Sequence, residues 1–303
     1  MTEDRSLVPF GFDTSILTGS VAESSMKMYK RDFQTYLDYA VTPEVAVKSS
    51  TFARWRTHLA NSTTLSPNTI NRMMSAVKRM MRTAEQQGYV AKGTYEDFKH
   101  VEGVKVGALR SRKKSHARTY ISPEQMRTLT SLPDLLTLSG LRDSALLHTL
   151  ASSGTRVHEA AKLRKVDIIP ADSGYQIQIM GKNDLEYRNA PLRPEAYQAI
   201  QKWLKARSVD SVFIFTSFEG RGEDRLTSNP MHTSSIWRTV KSYADQCGLE
   251  HIKPHDFRRF VGTQLAKKSP HSAQKALGHK DITTTFNNYV LSDLEIGITD
   301  DLY

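Results

Sequence analysis

Residues 153–168 read SGTRVHEAAKLRKVDI, a stretch that places an arginine and a glutamate three positions apart after a glycine. The preceding LRDSALLHTLASSG predicts a helix, so Gly154 and Thr155 predict the turn that follows it. The spacing of Arg156 and Glu159 is most often that of a helical ion pair. An arginine so placed also suits a phosphate group, because its planar fork donates paired hydrogen bonds. The stretch alone does not separate these two interpretations.

Three further stretches in the second half of the chain contain lysine, histidine, arginine or tyrosine side chains that could take part in catalysis. They are the predicted β-hairpin IMGKNDLEYR with Lys182 at its turn, KPHDFRRF with His255 and Arg258, and LGHKDITTTFNNY with His279 and Tyr289. Each also has an ordinary structural explanation: a turn lysine, a core histidine near a helix start, or a helix C-cap. Any one of them by itself is weak evidence for a functional site.

Together the four stretches resemble the tyrosine recombinase (phage integrase) family in order and approximate spacing. That family has an Arg in a T-G-x-R-x-x-E-like stretch, a hairpin Lys within G-K, then H-x-x-R, L-G-H and a later Tyr. The matching residues are Arg156, Lys182, His255, Arg258, His279 and Tyr289. Ser153 and Thr155 stand where the family usually has Thr and Leu, and the interval from Arg258 to His279 is slightly short. The resemblance covers residue 120 to the end.

This resemblance implies a site-specific DNA recombinase or integrase that cleaves and rejoins DNA through a 3′-phosphotyrosine and a Holliday junction. Tyr289 is then the nucleophile, and Arg156 and Arg258 hold the charged phosphate. Lys182 is expected to protonate the departing 5′ oxygen, with His255 and His279 donating hydrogen bonds or moving a proton. The ester keeps the bond energy, so neither ATP nor another cofactor nor a metal is expected.

Two other functions fit part of this pattern. A type IB topoisomerase shares the chemistry but relaxes DNA as a monomer; the length and the spacing from L-G-H to Tyr289 favour the recombinase. A non-catalytic DNA-binding protein on the same fold is the second alternative, and the complete set of six residues argues against it. An RNA-binding protein is disfavoured because no aromatic RNA-binding motif is present.

The predicted architecture is mainly α-helical with a small antiparallel sheet. We expect a helical, SAM-like core-binding domain over 1–108, a basic linker over 109–119, and a catalytic domain over 120–303. Ser20 and Glu23 lie at capping-box spacing before the first helix. Ser66 and Pro67 predict the start of a longer helix that Gly88 ends, and SPEQ predicts another start near residue 122. The longer helix has an apolar face, consisting of Ile70, Met74, Val77, Met81 and Ala84.

The charge distribution favours a polyanionic partner. The formal net charge is +10, and the first 120 residues carry 19 Lys and Arg against 11 Asp and Glu. A basic first third suits nucleic acid, although a solubilising surface is the simpler explanation. The candidate DNA-contacting residues lie on the predicted helix after Ser66 and in the basic stretch LRSRKKSHAR; they are Arg72, Arg79, Arg82, Arg110, Arg112, Lys113 and Lys114.

The expected partner is double-stranded DNA with paired recombination sites, bound by a homotetramer that is monomeric when free. The tail 290–303 combines acidic and apolar residues, and by family resemblance it docks into a neighbouring protomer. A tail packed on its own domain is the alternative. Without an apolar run of membrane length or a secretory pattern at the N-terminus, and with Cys247 as the single cysteine, we expect a cytoplasmic, DNA-associated protein.

Overall fold

The computed structural model describes residue 17 and residues 19–112, 121–180, 187–220 and 225–278, excepting the side chains of Ser24 and Arg110. The chain divides into two compact units, Met1–His116 and Ala117–Tyr303. The described residues are mainly helical with two small antiparallel sheets, which confirms the predicted fold class. Within these ranges, no helix is both long enough and apolar enough to cross a membrane.

The described part of the first unit is helical. Its elements are α1 (Glu23–Ala40), α2 (Pro43–Ala46), α3 (Ser49–Ser62), α4 (Pro67–Gln86), α5 (Thr94–His100) and a 3-10 helix (Val106–Arg112). Aromatic side chains from three of these helices meet in the core, with Phe52 stacked on Phe98 at 4.8 Å. The Tyr36 hydroxyl donates to the Ala46 carbonyl oxygen at 2.7 Å, which satisfies a buried polar group.

Helix α4 follows its local sequence signals closely. The Ser66 hydroxyl accepts a hydrogen bond from the Thr69 amide, Pro67 is the first helical residue, and the helix ends two residues before Gly88, whose φ is +76°. All five residues of its predicted apolar face are buried. The capping box predicted at Ser20 is wrong. The Ser20 hydroxyl instead donates to the Leu17 carbonyl oxygen at 2.8 Å in a local turn.

The basic stretch predicted to be an exposed linker begins in helical structure. Its first residues, up to Arg112, belong to the 3-10 helix, and Leu109 packs against the core of the first unit. Leu109 is apolar, and apolar side chains are stabilised by burial, so this part of the stretch packs on the first unit and is not an exposed linker. Residues 113–120 lie outside the described residues.

The second unit combines helices with both sheets. Its helices are α6 (Pro123–Ser131), α7 (Leu138–Ser153), α8 (Val157–Ala161), α9 (Pro194–Ala206), α10 (Thr233–Gln246), α11 (Pro254–Lys268) and α12 (Pro270–Leu277), with a 3-10 turn at Lys165–Asp167. Ser122 and Gln125 form the capping box that starts α6, as SPEQ predicts. Helix α7 is buried along most of its length, so it forms the centre of this unit.

The strands flank the helical core. They are β1 (Ile168–Ala171), β2 (Gly174–Met180), β3 (Tyr187–Leu192), β4 (Thr216–Phe218) and β5 (Leu226–Pro230). Strands β2 and β3 are the predicted antiparallel pair, and β1 completes a sheet in the order β1-β2-β3. The sequence did not predict β1 or the β4–β5 pair. These strands are short, and alternation over three to five residues is a weak signal.

Candidate active site

A tight turn between α7 and α8 places Arg156. Gly154 caps α7 in the left-handed conformation, with φ of +59°, and Arg156 follows as the N-cap of α8. A Cβ atom at Gly154 would also make tight contacts, because it would lie 3.0 Å from a Leu277 methyl group and 3.2 Å from Val261. Glycine therefore suits the left-handed backbone angle and leaves room for these side chains of α12 and α11.

Glu159 fixes the Arg156 backbone and side chain together. Its carboxylate accepts from the Arg156 amide at 2.6 Å and from Arg156 Nη1 at 2.8 Å. The Arg156 side chain remains 39% exposed, and its Nε and Nη2 atoms have no hydrogen-bond acceptor among the described residues. The predicted ion pair is thus present, and it leaves part of the guanidinium group available to a ligand.

Arg258 joins three of the four stretches on which the family resemblance depends. The residue is 1% exposed. Its Nη1 donates to the Gly154 carbonyl oxygen at 2.9 Å, and its Nη2 donates to the Leu277 carbonyl oxygen. One side chain on α11 therefore holds the turn before Arg156 and the end of α12 in contact. These stretches are more than a hundred residues apart in sequence, yet they meet at one place in the fold.

His255 lies one turn before Arg258, in the first turn of α11, at the surface of the unit rather than in its core. Partial removal from solvent, together with the positive charges of Arg259 and Arg258, lowers the pKa of the His255 imidazole from its ordinary value. A lowered pKa keeps the ring neutral near pH 7, so one ring nitrogen can accept a proton.

Arg188 on β3 is a site residue that the sequence reasoning missed. Its Nη2 donates to Glu159 Oε2 at 2.6 Å, and its Nη1 donates to the Ala276 carbonyl oxygen. The alternation of residues along β3 could have identified Arg188 as an inward-facing residue. Arg188 shares the alternating face of Ala190 and Leu192, both of which are buried. A charged residue on the inward face of a strand indicates a buried partner.

The chain matches the phage integrase family over residues 119–295. It belongs to this family. The family predicted from the motifs is thereby confirmed, since the match covers more than half of the 303 residues.

Similarity to characterised tyrosine recombinases is moderate. The chain is 32% identical over 179 residues to tyrosine recombinase XerD of Neisseria meningitidis serogroup B, an alignment that covers 55% of this chain and 56% of the relative. Thus the alignment spans about half the length of that relative. XerD of Listeria innocua is 26% identical over 284 residues, or 89% of each chain. The XerH recombinase, solved bound to its palindromic difH substrate, has a TM-score of 0.68 at 16% identity, covering 93% of this chain and 80% of that one, which supports the fold.

Three of the predicted catalytic residues lie outside the described residues: Lys182, His279 and Tyr289. The described structure reaches Met180 and resumes at Tyr187 on either side of the predicted lysine turn. It ends at Gly278, which caps α12 with φ of +65°. In this phage integrase, Gly278 of the L-G-H stretch is thus the C-cap of α12, and the Leu277 carbonyl oxygen before it accepts from Arg258.

The predicted DNA-contacting arginines of α4 differ in their surroundings. Arg72 donates to the carboxylate of Asp32, which is 2% exposed. Arg82 is exposed, with its guanidinium group 5.8 Å from the centre of the Tyr95 ring. Arg79 is partly buried, and its Nε has no hydrogen-bond partner among the described residues. Arg72 thus has a structural role that competes with a phosphate contact.

The remaining basic candidates lie at the end of the described first unit. Arg112 is partly buried in the 3-10 helix, and Arg110 contributes its backbone to the same helix. Lys113 and Lys114 lie outside the described residues. Contact of these four residues with DNA stays a prediction.

Proposed function

We propose that this chain is a site-specific DNA recombinase that cleaves and rejoins DNA through a covalent 3′-phosphotyrosine at Tyr289. The observation that carries the proposal is the Arg258 side chain, which joins the turn before Arg156 to the end of α12. Tyr289 follows that helix by twelve residues in sequence. The residues of the family pattern that the structure describes, Arg156, His255 and Arg258, thus belong to one local arrangement.

The residue types suit transfer of a phosphodiester to a side chain. A tyrosine forms a phosphotyrosine ester without water, and the phosphate accumulates negative charge as it reacts. Arg156 has a partly exposed guanidinium group with donors to offer to phosphate oxygens. Arg258 uses one N–H of Nη1 and one of Nη2 on backbone carbonyl groups, and a guanidinium group has five N–H donors, so these two bonds do not by themselves prevent a phosphate contact.

Proton transfer completes the proposed reaction. Lys182 protonates the departing 5′ oxygen, and His279 donates a hydrogen bond to the phosphate. The lowered pKa of His255 leaves its imidazole ring neutral near pH 7, so one ring nitrogen is free of a proton and can take the tyrosine proton. Rejoining reverses these steps with a 5′ hydroxyl of a second strand as nucleophile, which leads to a Holliday junction and needs no ATP.

The proposed substrate is double-stranded DNA with paired recombination sites. The XerH structure, with its palindromic DNA, supports DNA as the partner, and the basic first third of the chain supports it independently. We propose a homotetramer on two sites that is monomeric when free, with the tail 290–303 docked on a neighbouring protomer. The helical first unit, the basic stretch and the second unit then serve as core-binding domain, linker and catalytic domain.

A two-site assay tests this function against topoisomerase activity. First, the DNA that is covalently attached to the protein in its host is recovered and sequenced. Two copies of the recovered sequence are then placed in direct repeat on a supercoiled plasmid. We expect excision of the intervening circle only when both copies are present. Relaxation of plasmids regardless of sequence, with no excision, would instead identify a topoisomerase.

A further inference from the structure

Arg188 connects three elements of the second unit through one buried guanidinium group. The side chain is 9% exposed, and it projects from the inward face of β3. It reaches Glu159 on α8 at 2.6 Å and the Ala276 carbonyl oxygen near the end of α12. Strand β3 is thus tied to α8, which begins directly after Arg156, and to α12, which Gly278 caps.

Glu159 is a shared acceptor, so Arg188 affects Arg156 through it. The carboxylate is 7% exposed, and it accepts two hydrogen bonds from Arg156 and one from Arg188. Burial alone pushes the pKa of Glu159 upward. The positive charges of Arg188 and Arg156 and the Arg156 amide outweigh this effect and lower the pKa, so the group remains a carboxylate.

Gly278 shows how closely the chain passes Arg188 as it leaves α12. A Cβ atom at Gly278 would lie 2.4 Å from Arg188 Cδ, a distance that no real contact allows. Gly278 also has φ of +65°, which favours glycine for its backbone alone. The path of the chain immediately before His279 is therefore shaped against the Arg188 side chain.

We propose that Arg188 is a positioning residue for DNA cleavage, holding Arg156 through Glu159 and the end of α12 through the Ala276 carbonyl group. This inference rests on the proposed function. Without Arg188, the Glu159 carboxylate has Arg156 as its remaining cationic partner among the described residues, and the α12 carbonyl loses its donor. Arg188 is itself buried, so its loss changes the geometry of the reacting groups rather than the DNA-binding surface.

Three variants of the 303-residue chain test this role. Arg188→Gln removes the charge, and Arg188→Lys keeps a charge but replaces the planar fork with a single ammonium group. Arg142→Gln is the matched control. Arg142 is also buried and also pairs with a carboxylate, but its partners are Asp143, Thr216 and the Phe218 ring. The DNA probe is a nicked suicide duplex carrying the sequence recovered covalently attached to the protein.

For each variant, thermal unfolding, the Kd for the duplex and the single-turnover rate of adduct formation at saturating protein are measured. In Arg188→Gln, we expect the rate to fall about 100-fold, as for a misplaced reacting group, with the Kd nearly unchanged. Arg188→Lys should have nearly the thermal stability of the wild type, but its rate of adduct formation should stay below about a tenth of the wild-type rate. Arg142→Gln should lose stability while its folded fraction cleaves at the normal rate.

Two results would overturn the positioning role while the wild type forms its adduct. One is an Arg188→Gln rate that falls only with the folded fraction, as in the control. The other is full recovery of the rate in Arg188→Lys. If Arg188→Gln does not fold, the rate of Arg188→Lys decides. Failure of the wild type itself to form an adduct would reject the proposed function, and the role of Arg188 with it.

Discussion

Arg156 and Arg258 are both arginines of the family pattern, but the structure gives them different surroundings. Arg156 is partly exposed and has donors directed to no described acceptor, whereas Arg258 is enclosed and bonded to two backbone carbonyl groups. Arg258 is therefore a structural residue as well as a candidate phosphate ligand. Their substitutions should separate stability from cleavage.

Arg156→Ala should lower the rate of adduct formation by about 100- to 1,000-fold, because it removes donors to the developing charge. Its free energy of unfolding should change little. Arg258→Ala should lose activity and also on the order of 3 kcal/mol of stability, since it leaves two buried carbonyl groups without their donor. Urea unfolding and single-turnover cleavage measure both effects. Near-normal cleavage by Arg156→Ala would remove it from the clamp, and an Arg258→Ala protein as stable as the wild type would contradict the structural role.

The sequence predicted the ion pair of Arg156 and Glu159 because three-residue spacing on a helix is a local property. It did not predict that Glu159 serves a second arginine, because Arg188 comes from a strand whose packing depends on the whole unit. The burial of Arg258 also escaped prediction. Its partners are backbone carbonyl groups, which leave no mark in a sequence motif.

Helix α4 shows what a single element determines locally and what it does not. Its cap, its proline start and its buried face follow from residues within the helix, and all were predicted. Its arginines were predicted together as candidate DNA contacts, yet Arg72 is bonded to a buried aspartate while Arg82 is exposed. The hydrogen bonding of Arg72 depends on Asp32 of α1, a residue forty positions away in sequence.

Arg82→Gln should therefore weaken DNA binding mainly by removing a phosphate contact. The slope of log affinity against log salt should fall by up to about 0.9 for that contact. Arg72→Gln should instead lower stability, because Asp32 loses its partner, and should change the slope less. Lys27→Gln is a control, since Lys27 is an exposed cation on α1 paired with Glu23. Fluorescence anisotropy on a short duplex gives the slopes; an unchanged slope in Arg82→Gln would mean that this face of α4 does not contact DNA.

Other elements mark the limits of local signals. Ser20 has the spacing of a capping residue, but its hydroxyl is taken by the Leu17 carbonyl group in a preceding turn. The short strands β4 and β5 carry little alternation, and they form because each pairs with the other, Thr216 opposite Pro230 and Phe218 opposite Leu226. The longer β2–β3 hairpin was predicted because its alternation extends over enough residues to be seen.

At the scale of the whole molecule, the excess positive charge and the family motifs lie in different units. The basic excess lies in the first third, and every residue of the family pattern lies in the second unit. The proposed division is that the first unit supplies DNA affinity and the second supplies chemistry. The proposed chemistry of the second unit depends on one covalent step, the attack of Tyr289 on DNA.

The most direct measurement is the identity of the residue that becomes attached to DNA. The wild-type protein is trapped on a suicide duplex of the recovered sequence and digested with nuclease and trypsin, and the nucleotide-bearing peptide is fragmented by mass spectrometry. Residues 281–303 contain no lysine or arginine, so trypsin leaves Tyr289 and Tyr303 on the same peptide. We predict the phosphonucleotide on Tyr289, and no adduct from a Tyr289→Phe protein that still binds the duplex. An adduct on Tyr303, or one formed by Tyr289→Phe, would show that Tyr289 is not the nucleophile.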